Sequence, residues 1–259
     1  MTTTALQALI FDVDGTVADT EEIHRQAFNA AFIELALWWD WSAAEYMQLL
    51  RISSGPQRLE HYIGKMAVAE NEKARLRALV PTIHATKTRL YRELIERGAP
   101  LRPGVARLMQ EARAAGLRLA LGATSSTTNV EALLAASFGR EALGWFSAIA
   151  SVDQVPKRKP APDLYQRLLG ELRLPAAACV AFEDSANGVR AAKAAGLYTI
   201  ATPSRWTATQ DLGAADLVLH GLGDPQAPLD PASAKVVGAP QLGVAQIARL
   251  HAVHGAKVA

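Results

Sequence analysis

An apolar run that ends in two closely spaced aspartates is the feature that most constrains the fold of this chain. Residues 8–11 read ALIF, and the string DVDGT that follows supplies Asp12 and Asp14. Four consecutive apolar residues predict a strand that is buried on both faces, as in a parallel sheet. Because ligands bind at the carboxyl ends of such strands, the sequence predicts an acidic site after the first strand of an α/β protein.

The two aspartates have two explanations from the residues alone. Asp and Gly are common in turns, and Asp-x-Asp-Gly also opens calcium loops, although the glutamate at the twelfth position of such a loop is missing here. The other explanation is chemical, because one carboxylate can attack phosphorus while a second exchanges a proton with the leaving and attacking oxygens. The fully apolar strand before Asp12 favours the chemical explanation.

Composition indicates an ordinary folded protein. The chain has 259 residues, of which 50% are hydrophobic and 20% are charged, and its net charge is +2. This length suits one α/β core with a second, smaller domain. No dense stripe of Lys and Arg occurs, so we expect no nucleic-acid partner. The string MTTTALQ does not resemble a leader, and no run of eighteen apolar residues occurs, so we expect a cytoplasmic protein without a membrane partner.

Several apolar residues outside the main strand pattern receive structural interpretations. Cys179 is the only cysteine and lies in the apolar run CVAF, so we expect it in the core of a protein from a reducing compartment. Trp38, Trp39 and Trp41 are expected in the interior of a helical region or at its contact with the sheet.

The chain changes character twice after the first strand. Over residues 21–99, apolar positions recur at helical spacing, and Pro81 separates two helical stretches. From residue 105 onward, helical and strand patterns alternate, which predicts a parallel sheet with helices on both faces. We therefore predict a doubly wound α/β core domain, Rossmann-like in class, from residues 1–20 and 100–259, with an all-helical cap domain inserted over residues 21–99.

Polar clusters follow three later strands. Thr124, Ser125 and Ser126 precede a helix, where hydroxyls and backbone N–H groups either bind an anion or cap the helix. Lys159 lies in the string KPAPD, a rigid turn just before a helix, where a lysine can neutralise phosphate charge. The string FEDSANG then presents two acidic residues that suit either a helix cap or a Mg²⁺ site.

In this order, the four strings resemble the four motifs of the haloacid dehalogenase-like superfamily, in its phosphatase and phosphomutase branch. The resemblance implies that Asp12 is the nucleophile and that Asp14 is the general acid/base. It also implies that Thr124 or Ser125 holds a phosphoryl oxygen and that Lys159 neutralises charge beside the nucleophile. The implied cofactor is Mg²⁺, held by Asp12, Asp14, Glu183 and Asp184, with Asp14 acting through its backbone carbonyl.

Residues of the predicted cap indicate which branch of the superfamily the chain resembles. Glu21 follows the catalytic loop, the string SGPQR contains Gly55 and Arg58, and the string HATKT contains His84 and Lys87. Each of these residues alone is as often part of a solvated helix face. Together, Arg58, His84 and Lys87 are expected to add positive charge where the cap faces the phosphate site.

With the strings PLRPGV, NVEALL and SANG, these residues resemble the CbbY-type branch, xylulose bisphosphate phosphatases close to β-phosphoglucomutases. The implied substrate is a bisphosphorylated ketopentose, with one phosphate in the core and the other held by the cap. The family cap usually has Gly-Lys-x-Arg where this chain has GPQR, so a basic residue is missing. The implied substrate-binding residues are Glu21, Gly55, Arg58, His84, Lys87, Thr124, Ser125, Ser126, Asn129, Arg158 and Asn187.

The sequence therefore predicts a Mg²⁺-dependent phosphatase that hydrolyses a sugar phosphate through an aspartyl-phosphate. A β-phosphoglucomutase-like phosphotransferase and a sugar monophosphate phosphatase stay open, because no residue decides whether water or a sugar takes the phosphoryl group. A non-catalytic sugar-phosphate-binding module is a more distant alternative, because such a protein has no need for Asp14. The expected partner is a small sugar phosphate, and the expected assembly is a monomer or a homodimer.

Overall fold

The structure, a computed structural model, describes residues 5–52 and 54–258. Residues 1–4 and 259 of the predicted core, and with them most of the string MTTTALQ, lie outside the described part of the chain. In the described part, six parallel strands form one sheet. They are β1 (Ala8–Asp12), β2 (Arg118–Ala123), β3 (Phe146–Ser151), β4 (Cys179–Glu183), β5 (Tyr198–Ala201) and β6 (Leu217–Val218).

The strands are arranged in the order β3-β2-β1-β4-β5-β6, which is the order of a doubly wound sheet. All five residues of β1 are buried, as the apolar run predicts. Leu9 and Phe11 belong to the hydrophobic cluster on one face of the sheet, whereas Ala8 and Ile10 belong to the cluster on the other face. The predicted α/β fold is therefore confirmed, with helices needed on both faces to cover the central strand.

Helices account for most of the remaining structure. Between β1 and β2 the chain forms α1 (Glu21–Glu34), α2 (Ala43–Leu49), α3 (Gly55–Lys65), α4 (Glu70–Ala78), α5 (Val80–Ile95) and α6 (Val105–Ala114). The later helices are α7 (Thr127–Phe138), α8 (Asp163–Leu172), α9 (Ala186–Ala194), α10 (Pro231–Val237) and α11 (Val244–Val258). Pro81 lies in the first turn of α5, where its missing N–H costs no helical hydrogen bond.

Helices α1 to α5 share a hydrophobic cluster of their own. Phe28, Trp41, Tyr46 and Ile83 are fully or almost fully buried within it. One member of the cluster comes from outside these helices, because Trp206 follows β5 and reaches into the cap. The cap and the core are therefore joined by apolar packing as well as by the chain itself.

The three neighbouring tryptophans of the cap differ in exposure. Trp39 and Trp41 are 8% and 0% exposed, but Trp38 is fully exposed, so the sequence expectation is wrong for Trp38. Burial alternates over this segment, with Trp38 and Asp40 exposed and the residues between and after them buried. A period of two places consecutive side chains on opposite sides, which is why the three rings cannot all face the interior.

The last two helices complete one face of the sheet. Val237, Leu242 and Ile247 are fully buried in the same cluster as Leu9 and Phe11. Cys179 is buried in the opposite cluster, as predicted. Among the described helices, none has both the length and the apolar character required to cross a bilayer.

The helical insertion leaves and re-enters the core at one place. The N–H of Asp19 donates to the carbonyl of Pro100 at 2.9 Å, and the N–H of Arg102 donates to the carbonyl of Val17 at 3.0 Å. The Arg102 guanidinium also donates to Gly15 O at 2.5 Å and to two carbonyls that follow β5. These bonds fix the returning chain against the loop that carries the two aspartates.

Candidate active site

The candidate active site lies at the carboxyl ends of β1, β2 and β4. Phe11 of β1 pairs with Phe182 of β4, and their rings stack with centroids 4.6 Å apart. Asp12 and Glu183 are the next residues of the two strands, so their side chains emerge side by side. This is the switch point of the strand order, where open α/β sheets bind their ligands.

Lys159 forms ion pairs with the acidic residues at the ends of β1 and β4. It is buried, and its Nζ lies 2.5 Å from Asp12 Oδ1 and 2.5 Å from Glu183 Oε1. Burial opposes the charge of this ammonium group, but the carboxylates of Asp12 and Glu183 outweigh burial and raise the pKa of Lys159 well above its usual value. Lys159 is therefore protonated at neutral pH beside Asp12.

Asp12, Glu183 and Asp184 form a buried acidic cluster whose potential ligand atoms lie within 4.8 Å of one another. Burial raises the pKa of Asp12, and burial together with the Glu183 carboxylate raises the pKa of Asp184 to about 7. Within the described residues, Glu183 Oε2 is buried without a hydrogen-bond partner. Asp12 and Glu183 thus share the ammonium of Lys159, and Asp184 adds a third acidic side chain to the cluster without pairing with that lysine.

These features fit a divalent cation such as Mg²⁺, which prefers oxygen ligands and one or two carboxylates. Gly15 has a φ of +86°, and a Cβ there would overlap the carboxylate of Asp184, so glycine allows the catalytic loop to approach this residue. Asp12 and Asp184 would hold the cation directly, with Glu183 beside them. Asp14 would contribute only its backbone carbonyl, because its carboxylate is bonded elsewhere.

Asp14 is surrounded by hydrogen-bond donors. Thr20 Oγ1 donates to Asp14 Oδ1 at 2.6 Å, His24 Nε2 lies 3.3 Å from the same oxygen, and Ser125 Oγ donates to Oδ2 at 3.1 Å. Burial favours the neutral acid, but His24, Thr20 and Ser125 together hold the pKa of Asp14 well below its usual range. Asp14 is therefore a carboxylate at neutral pH and can accept a proton.

His24 connects Asp14 to the cap. Its ring stacks on Tyr91 with centroids 4.0 Å apart, and its Nδ1 lies 2.7 Å from Lys87 Nζ. Lys87 is 7% exposed, and its ammonium group also lies over the rings of Phe28 and Tyr91. Burial lowers the pKa of Lys87 to about 8. The predicted cap residue Lys87 thus reaches the acid/base candidate through one imidazole.

Two adjoining cavities lie between the cap and the core. A small cavity of about 50 Å³ is lined by Asp12, Lys159 and Asp184, and a larger one of about 430 Å³ lies beside it beneath the cap. Both are lined by Asp14, Glu21, Arg58 and Thr124. Predicted residues that line only the larger cavity are Gly55, His84, Lys87, Ser125, Ser126, Asn129 and Arg158, whereas Asn187 lines only the smaller one.

Comparison with known proteins identifies the chain's family. The sequence profile of the family described as haloacid dehalogenase-like hydrolase matches residues 6–196. The chain belongs to this family. The matched range begins just before β1 and ends just after α9, so it includes all four polar strand ends of this hydrolase.

Relatives of the hydrolase include CbbY proteins. Protein CbbY, plasmid, from Cupriavidus necator is 47% identical over 225 residues, which cover 86% of this chain and 89% of that protein. The crystal structure of CbbY from Rhodobacter sphaeroides with phosphate has a TM-score of 0.76 and 40% identity, covering 85% of this chain and 98% of the other. A variant of that protein was solved with xylulose 1,5-bisphosphate, with the same score and coverage. The predicted haloacid dehalogenase-like phosphatase of CbbY-like type is thus confirmed.

Glu21 and Arg58 of the hydrolase meet at one tyrosine. The hydroxyl of Tyr46 donates to Glu21 Oε2 at 3.0 Å, and Arg58 Nη1 donates to the same hydroxyl at 3.3 Å. Arg58 Nε also donates to Ile52 O at 2.8 Å, which fixes the guanidinium at the cavity wall. Arg58 therefore has a structural role in the cap in addition to the binding role predicted for it.

Gly55 and His84 are in close contact in the wall of the larger cavity. A Cβ on Gly55 would approach His84 Cδ2 to 2.9 Å, so glycine permits this contact. Burial, with the nearby charges of Lys87 and Arg158, lowers the pKa of His84 to about 4. His84 is thus neutral at pH 7, which corrects the expectation that it adds positive charge and leaves it a hydrogen-bonding role.

The remaining predicted residues come from the core side. Asn129 is 5% exposed, and its Oδ1 is buried without a partner among the described residues, so it is available to a ligand. Ser126 lies at the start of α7, and Arg158 is exposed at the cavity rim. Asn187 Nδ2 donates to Arg51 O of the cap at 3.2 Å, so it also connects the two parts of the chain.

Several residues at the site were missed by the sequence reasoning. Thr20 and His24 contact Asp14, the hydroxyl of Tyr165 donates to Glu183 Oε1, and Ser204 and Thr207 donate to Asp184. The position of His24, one helical turn after Thr20 and facing the same way, is a signal that was present in the sequence. The other three residues come from distant segments, and nothing in their local sequence indicates a role.

Proposed function

We propose that the hydrolase is a Mg²⁺-dependent phosphatase that acts on a phosphorylated ketopentose, with a bisphosphate such as xylulose 1,5-bisphosphate as its preferred substrate. The single observation that carries this proposal is the pair of adjoining cavities, which share four lining residues. One end holds Asp12, Lys159 and the acidic cluster, and the other is wide and lined by cationic side chains. A relative solved with xylulose 1,5-bisphosphate supports the same substrate class.

In the proposed reaction, Asp12 attacks the phosphoryl group to form an aspartyl-phosphate. Because Asp14 is a carboxylate in the free chain, it takes up a proton when the substrate binds, gives that proton to the departing sugar oxygen, and then takes one from the water that hydrolyses the intermediate. Lys159 keeps positive charge beside Asp12, and Thr124 binds a phosphoryl oxygen at the mouth of both cavities. Mg²⁺, when bound, supplies charge that stabilises the phosphoryl oxygens.

The larger cavity suits the second phosphate. Five cationic side chains line it, namely Arg58, Lys87, Arg89, Arg92 and Arg158. Arg89 is paired with Glu34 and Glu93, but Arg92 and Arg158 have no ion-pair partner within the described residues. These arginines supply positive charge that the family-typical lysine, replaced by Pro56 here, does not. A phosphate bound near them would hold the sugar with its other phosphate directed toward Asp12.

A screen of phosphate release across sugar monophosphates and bisphosphates, with added Mg²⁺, tests the proposal. We expect the highest kcat/KM for a ketopentose bisphosphate, because only a bisphosphate fills both cavities. A preference for monophosphates would contradict the proposed substrate. Conversion of β-glucose 1-phosphate to glucose 6-phosphate, primed by glucose 1,6-bisphosphate and faster than phosphate release, would instead establish the mutase alternative.

A further inference from the structure

Residues 204–207, which follow β5, contact the acidic cluster from outside the range matched by the family profile. Ser204 Oγ donates to Asp184 Oδ2 at 3.1 Å, and Thr207 Oγ1 donates to the same oxygen at 2.9 Å. Ser204 and Thr207 are 3% and 4% exposed, so water does not compete freely for these bonds. The two hydroxyls are therefore the direct support of the Asp184 carboxylate.

Backbone N–H groups within residues 204–207 fix the positions of the Ser204 and Thr207 hydroxyls. The N–H of Ser204 donates to Thr207 Oγ1 at 3.0 Å, and the N–H of Trp206 donates to Ser204 Oγ at 3.3 Å. The two hydroxyls also lie 3.1 Å from each other, and each has Asp184 Oδ2 within donating distance. Bonds to Oδ2 leave Oδ1 of Asp184 for a cation. A carboxylate held in this way has one orientation rather than several.

The same segment is anchored in the cap. Trp206, between the two hydroxyl residues, is 3% exposed and belongs to the hydrophobic cluster of the cap. Its ring meets that of Tyr46 edge-on, with centroids 5.8 Å apart. Tyr46 in turn bonds Glu21 and Arg58, which line both cavities. A continuous set of contacts thus runs from Asp184 to the residues that face the substrate.

We propose that Ser204 and Thr207 are positioning residues that orient Asp184 for Mg²⁺ binding, and that Trp206 makes this orientation depend on the cap. The inference rests on the proposed function, because it takes Asp184 as a ligand of Mg²⁺. Residues that orient metal ligands typically change metal affinity about ten- to a hundredfold when they are removed. The proposal therefore predicts a change in Mg²⁺ affinity that can be measured without substrate.

The first experiment is calorimetric titration of Mg²⁺ into the full chain. Thr207→Val keeps the shape of the side chain but removes its hydroxyl, and we expect Mg²⁺ binding about tenfold or more weaker. Thr207→Ser restores a hydroxyl and should recover most of the affinity. Thr199→Val is the matched control, because Thr199 is also fully buried but donates to Leu197 O and should leave Mg²⁺ affinity unchanged.

The second experiment tests the connection to the cap. Trp206→Ala keeps both hydroxyls, and we expect several-fold weaker Mg²⁺ binding, whereas Trp145→Ala, a tryptophan outside both cavities, should have no effect. Unchanged affinity in Trp206→Ala would overturn the dependence on the cap. Unchanged affinity in Thr207→Val, with unchanged circular dichroism, would overturn the positioning role while the proposed function stands. Failure of the unmutated chain to bind Mg²⁺ would overturn both proposals.

Discussion

Lys87 Nζ lies 2.7 Å from His24 Nδ1, at the point where the cap meets the acid/base candidate. The other nitrogen of the same imidazole lies 3.3 Å from Asp14 Oδ1. Lys87, a proposed ligand of the substrate's second phosphate, and Asp14, the proposed acid/base, are thus separated by one imidazole ring. If both residues have the proposed roles, we expect the protonation of Lys87 to affect both substrate binding and proton transfer.

This relationship predicts an alkaline limit to activity. Because burial lowers the pKa of Lys87 to about 8, the ammonium form present below pH 8 is lost as the pH rises through that value. We expect kcat/KM for a bisphosphate to fall above about pH 8, since this parameter reports the free enzyme. Lys87→Arg does not titrate in this range, and its profile should stay flat there. If kcat/KM falls above about pH 8 in both proteins, the alkaline limit belongs to a group other than Lys87.

Replacement of the nucleophile candidate should abolish turnover. Asp12→Asn keeps the shape of the side chain but removes its nucleophilic oxygen and one of the two carboxylates bonded to Lys159. We expect no measurable phosphate release and an unchanged fold, because the amide has the same shape as the carboxylate and Glu183 still pairs with Lys159. Asp211→Asn, at an exposed carboxylate, is the control and should retain full activity. Substantial turnover by the folded Asp12→Asn variant would exclude Asp12 as nucleophile.

Removal of the metal should stop the reaction reversibly. Treatment with EDTA should abolish phosphate release, and added Mg²⁺ should restore it, because the acidic cluster needs a cation to balance its charge. Asp184→Ala removes a proposed direct ligand, and we expect the Mg²⁺ concentration for half-maximal activity to rise at least about tenfold. Full activity in EDTA would contradict the proposed cofactor.

Substitution of Arg58 separates substrate recognition from support of the cap. Arg58→Ala should lower kcat/KM for a ketopentose bisphosphate about ten- to a hundredfold, corresponding to one lost bond to a charged group. Small aryl phosphates, which have no second phosphate, should be hydrolysed at similar rates by both proteins. Tyr46→Phe removes the hydroxyl that Arg58 and Glu21 both contact but keeps the cation, so it reports the loss of this support without the loss of the Arg58 charge. Equal losses on both substrates would make Arg58 a purely structural residue.

The strand ends of the core could be predicted because each is a local pattern. Asp12, Lys159 and Asp184 each follow an apolar strand or precede a helix, and the strand order brings those ends together. A short apolar run and the polar residues after it therefore contain most of the information needed to place the candidate active site. Register and burial follow from the same pattern, as in β1, where every residue is buried.

The supporting residues could not be predicted in this way. Ser204 and Thr207 reach Asp184 from twenty or more residues away, and Trp206 enters a cluster formed by helices far from it in sequence. The neutral state of His84 depends on its burial and on the charges of other segments, which no local string contains. Such properties arise from tertiary packing, whereas the motifs arise from the strand and its loop.

The hydrogen bond between Asp19 N–H and Pro100 O has a consequence for how such hydrolases diversify. Because the two ends of the insertion are already side by side, a segment of another length can replace it at a small entropic penalty, about 0.6 kcal/mol for each doubling of loop length. The core can then keep the same reacting groups while the inserted cap, which selects the substrate, is replaced by another segment. New specificities can arise by recombination at this junction, without any change to the strands that hold the reacting groups.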